Sequence, residues 1–585
     1  MVTKNIKYFL MAGLVSCGVT AALTSCSDML ETDSELVEFA DDNTLNHPTD
    51  SVYSALGILN AMQKIADRTV LLGEVRGDLV TPTNEASADL KRLSAFDFSQ
   101  QNKYNQVSDY YAVINNCNYY LAHVDTVMER RGRKLFEYEY AAVKAYRAWT
   151  YLQLAQAYGK VPLVTTPVMT EQQARDAMNQ PYKTIAEVCN YFVADLTPYA
   201  FTEKPDFREI SGWISRRNFF IPMRALLGDL CLWAGRYEDA ARWYNSFLND
   251  EKEPVMLNAM ATATWGTISE FQYPRNAYGS KFSLSSTNEE MLSLIPMEAI
   301  VFNGTVSDLR NVFCSTEENK YFAQMVPSKG MYRLSAAQDY CIEYKTDART
   351  DTIYVPKVGL LDDIYRGDLR FSSVYSESSR GAQNAYSEYS AMRHSNVKFS
   401  STAVATYRRT MVYLRYAEAL NRAGLPQSAF LILKHGICPD NISLYVDSVE
   451  RAKAGTLIDF DSDVFARVDN TGNVQIIGVH SYGSGDTQVN GHYELPQPAD
   501  SLATRQDTVN YQIPLVEDMI ITEMALEGAF EGNRYYDLMR VALRRGDAAY
   551  LADPVSRRNS QRTEEPDAAL RAKLMDEKNW YLPLP

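Results

Sequence analysis

A short motif that occurs in two diverged copies constrains the fold more than any other feature of the chain. Ala234-Gly235-Arg236-Tyr237-Glu238-Asp239-Ala240 returns as Ala423-Gly424-Leu425-Pro426-Gln427-Ser428-Ala429. In each copy the Ala-Gly closes an apolar helical stretch (222–234 and 411–423) and a second helical stretch follows. Glycine just past a helix end readily takes the left-handed conformation that turns the chain. A small residue, Gly228 or Ala417, lies twelve positions before the last Ala of each copy. That small-x11-small spacing marks a tetratricopeptide-type hairpin, whose two helices cross closely. The expected fold is mainly α, on a scaffold of tetratricopeptide-like helical hairpins.

Apolar periodicity extends this scaffold in both directions. Val52, Leu56, Leu59 and Met62 share a face over 50–66, and Tyr110, Ile114, Cys117 and Leu121 share one over 107–128. The clearest helix is 137–158, where Tyr138, Ala142, Ala145, Trp149 and Leu152 recur at spacings of three and four. Gly159 supplies its C-terminal cap and Pro162 forbids continuation. Residues 107–158 and 183–196 read as degenerate copies of the hairpin. Residues 255–410 are rich in Ser, Asn, Gly, Tyr and Phe, with extended runs such as Met291-Leu292-Ser293-Leu294-Ile295, and read as long loops and small sheets. Residues 440–513 read similarly. Helix returns over 514–546, and 553–567 is polar and loop-like.

The N-terminal residues bear on destination rather than fold. Lys4 and Lys7 precede an apolar stretch over 8–23, and Leu23-Thr24-Ser25-Cys26 leads into an acidic run. This is the layout of a secretory signal peptide, and its apolar part is too short and weakly apolar to span a membrane. Leu-Thr-Ser-Cys is also the bacterial lipobox pattern, in which Cys26 is lipidated and becomes the first mature residue. Stable anchoring takes more than one buried acyl chain, and a lipobox cysteine carries several, palmitate among them. The expected organisation is a signal peptide at 1–25, the lipidated Cys26 and a flexible linker at 26–49, a helical region at 50–254, and a C-terminal region at 255–585 with loop-rich insertions and terminal helices.

Charge and cysteines narrow the function classes. The net charge of −15 becomes −17 without Lys4 and Lys7. Nucleic-acid binding rests on phosphate neutralisation, which this balance opposes, and a neutral ligand suits it better than an anionic one. Cys117, Cys189, Cys231, Cys314, Cys341 and Cys438 are scattered without a CxxC pair, so neither a zinc site nor a disulfide framework is indicated. Tyrosine occurs 39 times, against 22 phenylalanines and 6 tryptophans. Its flat face and hydroxyl suit sugar rings, although most of these tyrosines fall in helix-packing positions.

Several ordered segments together resemble the SusD/RagB family of Bacteroidetes nutrient-binding lipoproteins. They are the lipobox with its acidic tract; Arg147-Ala148 through Tyr158-Gly159-Lys160-Val161-Pro162-Leu163; Tyr413-Leu414-Arg415-Tyr416-Ala417-Glu418-Ala419-Leu420-Asn421; and Glu527-Gly528-Ala529-Phe530-Glu531-Gly532-Asn533-Arg534-Tyr535-Tyr536-Asp537-Leu538-Met539-Arg540. Asn288-Glu289-Glu290-Met291 and Gly367-Asp368-Leu369-Arg370 are weaker signposts between them. The stretch 440–513 is longer and less helical than the family pattern. The resemblance implies a helical scaffold with an irregular, loop-rich ligand-facing half. It further implies an outer-membrane, surface-exposed, lipid-anchored protein and a SusC-like TonB-dependent outer-membrane barrel as partner.

Enzymatic signals are poor. His47, His123, His394, His435, His480 and His492 form no HExxH, and neither a GxSxG elbow nor a P-loop is present. Glu523, Glu527 and Glu531 are spaced by four, but a glycosidase sets its two carboxylates across a cleft. A network of Glu531, Arg534, Asp537 and Arg540 pinning a C-terminal helix is the preferred reading. Asp459-Phe460-Asp461-Ser462-Asp463 begins like a calcium loop, yet Val464 and Asn470 stand where Gly and Glu are needed, so an EF-hand is rejected and a looser structural calcium site is unsupported by any motif. No cofactor is expected.

Ligand residues are sought among loop aromatics. Trp265, Tyr273 and Tyr278 lie in a Gly/Pro/Asn-bearing segment, and Arg76, Asp78 and Tyr104 fall where the family's early ligand-side loops occur. Trp149, Trp233 and Trp243 sit in helices and are expected in the core. The expected function is non-catalytic capture of an oligo- or polysaccharide for the partner transporter. Competing readings are a peptide-binding lipoprotein of an import complex, a polysaccharide-degrading enzyme, and a purely structural tetratricopeptide adaptor.

Overall fold

A computed structural model describes residues 48–205, 216–250, 264–268, 271–275, 278–282, 284, 290–298, 304–338, 341–345, 350–354, 368–377, 393–466, 478–479, 493–499, 504–560 and 565–584. Cys26 with its signal peptide and most of the linker lie outside the described residues. The chain is mainly helical, as its periodicity requires. The scaffold runs α1 (Pro48–Glu74), α2 (Val107–His123), α3 (Glu137–Tyr158), α4 (Ile185–Leu196), α5 (Met223–Trp233), α6 (Tyr237–Leu248), α7 (Arg409–Arg422) and α8 (Pro426–Lys434). It closes with α9 (Arg505–Gly528), α10 (Arg534–Arg545), α11 (Ala549–Ser556) and α12 (Ala568–Leu574).

Both copies of the repeat form hairpins. Helix α5 packs on α6 and α7 on α8, while α4 bridges α3 and α5, and α7 joins α6 to α9. Gly235 and Gly424 adopt positive φ of 75° and 83° at the two turns, a conformation glycine enters without steric cost. The small residue before the turn is equally necessary. A Cβ at Gly228 would lie 2.4 Å from the Tyr244 ring, whose hydroxyl donates to Asp229. Helix α3 packs against α1, α2, α4 and α5, and nearly its whole circumference is buried beyond the first turn.

Most of the tyrosines serve this core. Tyr111 donates to the carbonyl of Pro162, Tyr146 to that of Phe219 and Tyr151 to that of Val164, so these three buried hydroxyls keep a partner. Cys117, Cys189, Cys231 and Cys314 are buried as free thiols. Trp149 is buried, and Trp233 and Trp243 are half-buried and packed against the core rather than enclosed in it.

The middle of the chain contains short antiparallel ribbons, Val80–Pro82 with Met325–Pro327, Met291–Ile295 with Val404–Arg408, and Tyr375–Glu377 with His394–Asn396. Short helices at Leu309–Phe313, Lys329–Ala336 and Leu369–Val374 interrupt what the composition suggested was loop and sheet alone. Three other boundaries differ. Helix α9 starts at Arg505, nine residues before the expected 514, because Thr504 and Asp507 form a reciprocal capping box; Pro514 is carried inside the helix. Helices Pro439–Tyr445 and Ser448–Ala454 occupy part of 440–513. Residues 553–556 belong to α11 rather than a loop. Among the described residues no helix is long and apolar enough to cross a membrane.

One close approach locks the N-terminal helix to the C-terminal pair. The turn between α9 and α10 lies against the last turns of α1, where a Cβ at Gly73 would stand 1.6 Å from the Gly532 carbonyl oxygen. Glu74 then accepts the backbone N–H of Phe530 (2.9 Å) and of Gly532 (3.0 Å). Phe530 holds a positive φ of 69° and Gly532 one of 81°. The non-glycine residue adopts this costly conformation where the carboxylate clamps it. Burial drives the Glu74 carboxyl up to about 7, against the opposing pull of those two N–H donors.

Gly73→Ala is expected to lower unfolding stability by at least the ~1–3 kcal/mol typical of overpacking, since backbone has to move; denaturant titration measures it. Because the folded value of Glu74 lies above the ordinary 4.5, its contribution weakens as pH rises from about 4.5 to about 7 and is level above. The loss is on the order of 3 kcal/mol. Comparing melts of the protein and Glu74→Gln across that window should show the extra slope only with glutamate.

Candidate functional site

The loop-rich half is held in place by a buried charge lattice centred on α9. Arg370 donates to Asp368 (2.7 Å), Glu523 (2.6 Å) and Glu527 (3.0 Å). Arg408 donates to Glu527 (3.0 Å) and Glu531 (2.8 Å) and also pairs with Glu290. Lys398 reaches the Glu527 carbonyl (3.0 Å) and pairs with Glu531. Tyr493 donates to the second oxygen of Glu523 (2.6 Å). Burial alone would raise the Glu531 carboxyl, but Arg408 and Lys398 outweigh it and hold it below its ordinary value.

Each partner comes from a different element, which corrects the expected C-terminal network. Glu531 turns to Arg408 and Lys398. Arg534 grips Asp78 through two bonds (2.6 and 3.0 Å). Arg540 takes Glu418 (2.5 Å) and Asp537 (2.8 Å). Only the last pair is internal to the expected set. Four-residue spacing shows that the glutamates share a face; it carries no information about which distant arginine meets them. Glu523 and Glu527 are fully buried and bound to arginine, which leaves them no open cleft in which to act as acid and base.

The structure brings Arg76 and Asp78 together at a hub inside the protein rather than on a ligand-facing loop. Arg76 is fully buried and donates to the carbonyls of Leu72 (2.7 Å) and Trp580 (2.8 Å) and to the Tyr536 hydroxyl (3.1 Å), with its guanidinium 4.3 Å from the Tyr535 ring centre. Asp78 is occupied by Arg534. The Tyr104 ring is also buried. The bonds of Arg76 and Asp78 serve the joint between α1, α10 and the C-terminal segment. Trp265 and Tyr273 lie on an antiparallel ribbon (Thr264–Ile268 with Phe271–Arg275) whose register sets Trp265 opposite Pro274 and Tyr273 opposite Gly266. Directly opposed positions share a face and neighbours alternate, so these two positions belong to opposite faces of the ribbon. Tyr278 begins the short 3-10 helix Tyr278–Phe282. Among the described residues no cluster of His, Cys, Asp and Glu could hold a metal ion.

An exposed aromatic pair that sequence reasoning missed lies in another loop of the middle region. Tyr321 and Phe322 are 50% and 47% exposed in the loop over 316–324. That loop is fixed on both sides. The Lys320 carbonyl accepts the Arg393 N–H (2.9 Å), and the Gln324 carbonyl accepts the Thr83 N–H (2.9 Å). The Gln324 side chain accepts the Ser87 N–H (3.1 Å). The pair therefore stands beside the 83–87 turn that follows the Arg76–Asp78 hub. Searching for loop aromatics would have reached it, since Tyr321-Phe322 is an adjacent pair in a polar segment. A rigid loop presenting two ring faces among polar groups can hold the C–H face of a sugar while hydroxyls bond around it.

No protein-family model and no curated sequence matches the chain. Solved structures do. A SusD superfamily protein from Bacteroides vulgatus aligns with a TM-score of 0.54 at 13% identity, over 92% of this chain and 95% of its own. A SusD homolog from Bacteroides thetaiotaomicron aligns with 0.51 at 16%, over 93% and 95%. A SusD-like carbohydrate-binding protein from Bacteroides fragilis aligns with 0.50 at 13%, over 86% and 88%. The chain has the SusD-like fold.

Arg370→Met would leave Asp368 and Glu523 without their cation and Glu527 with Arg408 alone. Breaking a buried pair from one side costs about 3–5 kcal/mol, and a loss of that size is expected in denaturant midpoint and melting temperature.

Proposed function

We propose that the protein is a non-catalytic, surface-exposed lipoprotein that captures an oligo- or polysaccharide and passes it to a SusC-like TonB-dependent outer-membrane barrel. The observation that carries this reading is the near-complete alignment with the SusD-like fold, which includes a protein described as carbohydrate-binding. The lipobox at Cys26 supports the lipid anchor, and the acidic balance of the chain suits a neutral glycan. The ligand face is assigned to the loop-rich half. Tyr321 and Phe322 are proposed as its stacking surface, and the Trp265–Tyr273 ribbon as a second element of it. Arg76 and Asp78 act indirectly, by holding the 83–104 segment in place, and Tyr104 acts as a buried support within that segment.

Calorimetric titration of residues 27–585 against polysaccharides and peptide mixtures tests the proposal. Saturable heat with one glycan class, without product release, is the expected outcome. Tyr321→Ala with Phe322→Ala should weaken that binding about tenfold, the scale of a lost aromatic contact, with the melting temperature unchanged. Heat confined to peptides would overturn the glycan assignment, and release of shortened glycan would overturn the non-catalytic one.

A further inference from the structure

A cavity of about 1180 Å³, lined by no residue of the Tyr321–Phe322 loop, opens on the helical half where the ends of α3, α5 and α10 meet the C-terminal segment. Its walls include three aromatic rings that are only partly buried, Trp233, Tyr237 and Tyr581. Each ring is backed by structure. Tyr581 lies on Gly159 so closely that a Cβ there would be 2.9 Å from ring carbons. Trp233 is backed by the Arg540 guanidinium at 5.4 Å from the ring centre, and Tyr237 by that of Arg422 at 5.4 Å. These arginines are themselves fixed. Arg540 binds Glu418 and Asp537, and Arg422 binds Glu517 (2.7 Å). The segment carrying Tyr581 is fixed too, because the Leu582 N–H donates to the Ala157 carbonyl (2.9 Å), and Asn105 donates to that of Pro583 (3.1 Å).

Three rings of fixed orientation along one cavity form a preorganised stacking surface. Binding there loses little side-chain entropy. The volume exceeds what a single sugar ring needs and lies just above the ~300–1,000 Å³ usual for small-molecule sites, room for several rings. The lining arginines Arg422, Arg540 and Arg544 are paired with Glu418, Glu517 and Asp537, and Lys160 and Lys578 are set against Asp576 and Glu577, so the charged groups of the wall are matched and the site favours a neutral ligand. We propose that this cavity is a second carbohydrate site, for a neutral oligosaccharide, on the helical half; the ligand class rests on the glycan reading above. Two separated platforms let one polysaccharide chain be held at two points, which raises the apparent affinity for long chains over short ones when the span is matched.

The test uses residues 27–585, with gluco-, manno-, xylo- and galacto-oligosaccharides as probes and calorimetry and ligand-observed NMR as readouts. Tyr237→Ala removes one platform. Ala186→Trp fills the cavity from an exposed helical position that lines it, so it blocks the site without removing any packing. Both variants are expected to bind about tenfold more weakly or not at all at this site, while Tyr321→Ala/Phe322→Ala leaves it intact. Loss of all binding in the Tyr321/Phe322 variant, with Ala186→Trp unchanged, would overturn this site and leave the loop site standing. The reverse pattern would establish this site and remove the loop one. Absence of any binding by the unmodified protein across the probes would overturn both.

Discussion

Arg370 and Arg408 are the interactions on which the architecture depends. Both are buried, and each ties a loop-rich segment to the carboxylates of α9 and the turn after it. The short ribbons of the middle region bury too little apolar surface to stand alone, and two-stranded pieces are marginal in water. Bidentate arginine–carboxylate geometry gives them a fixed address on the helical scaffold. Desolvating such charges is expensive, so the lattice contributes more to which arrangement forms than to how stable it is.

A second constraint is steric. The Gly73–Gly532 contact and the Glu74 clamp set α1 against the α9–α10 turn with no room for a side chain. The Arg76–Asp78 hub follows within four residues and spends every polar atom of Arg76 on that joint. The segments over 83–104 therefore leave the scaffold from a rigid base, which is what the proposed binding surface made of loops requires.

The helical scaffold was legible because packing writes itself into local spacing. The Gly228 and Ala417 positions mark the hairpin, the Gly159 turn ends a helix locally, and the period of α3 shows its apolar faces without needing to know what covers them. The charge lattice was half legible: Glu523 and Glu527 announced a shared face, and Asp368-Leu369-Arg370 and Glu290 stood out as signposts, but their pairing spans more than a hundred residues and leaves no periodic trace. Arg76 and Asp78 were misjudged for a related reason. A charged pair beside glycine resembles an exposed turn unless the distant groups that enclose it, Trp580 and Arg534, are known. Tyr321 and Phe322 met the criterion applied to Trp265 and Tyr273 and were passed over, because composition does not separate an exposed loop aromatic from a buried one.

The bond from Arg76 to the Trp580 carbonyl spans 504 residues, and Tyr535 donates to the same carbonyl. Until Trp580 has emerged, Arg76 has only the Leu72 carbonyl and the Tyr536 hydroxyl to donate to, and the Gly159 turn lacks the Tyr581 ring that covers it. Contacts of such sequence separation form late because a long loop must close first. The helical half thus stays open to rearrangement until the segment carrying Trp580 and Tyr581 clasps it shut.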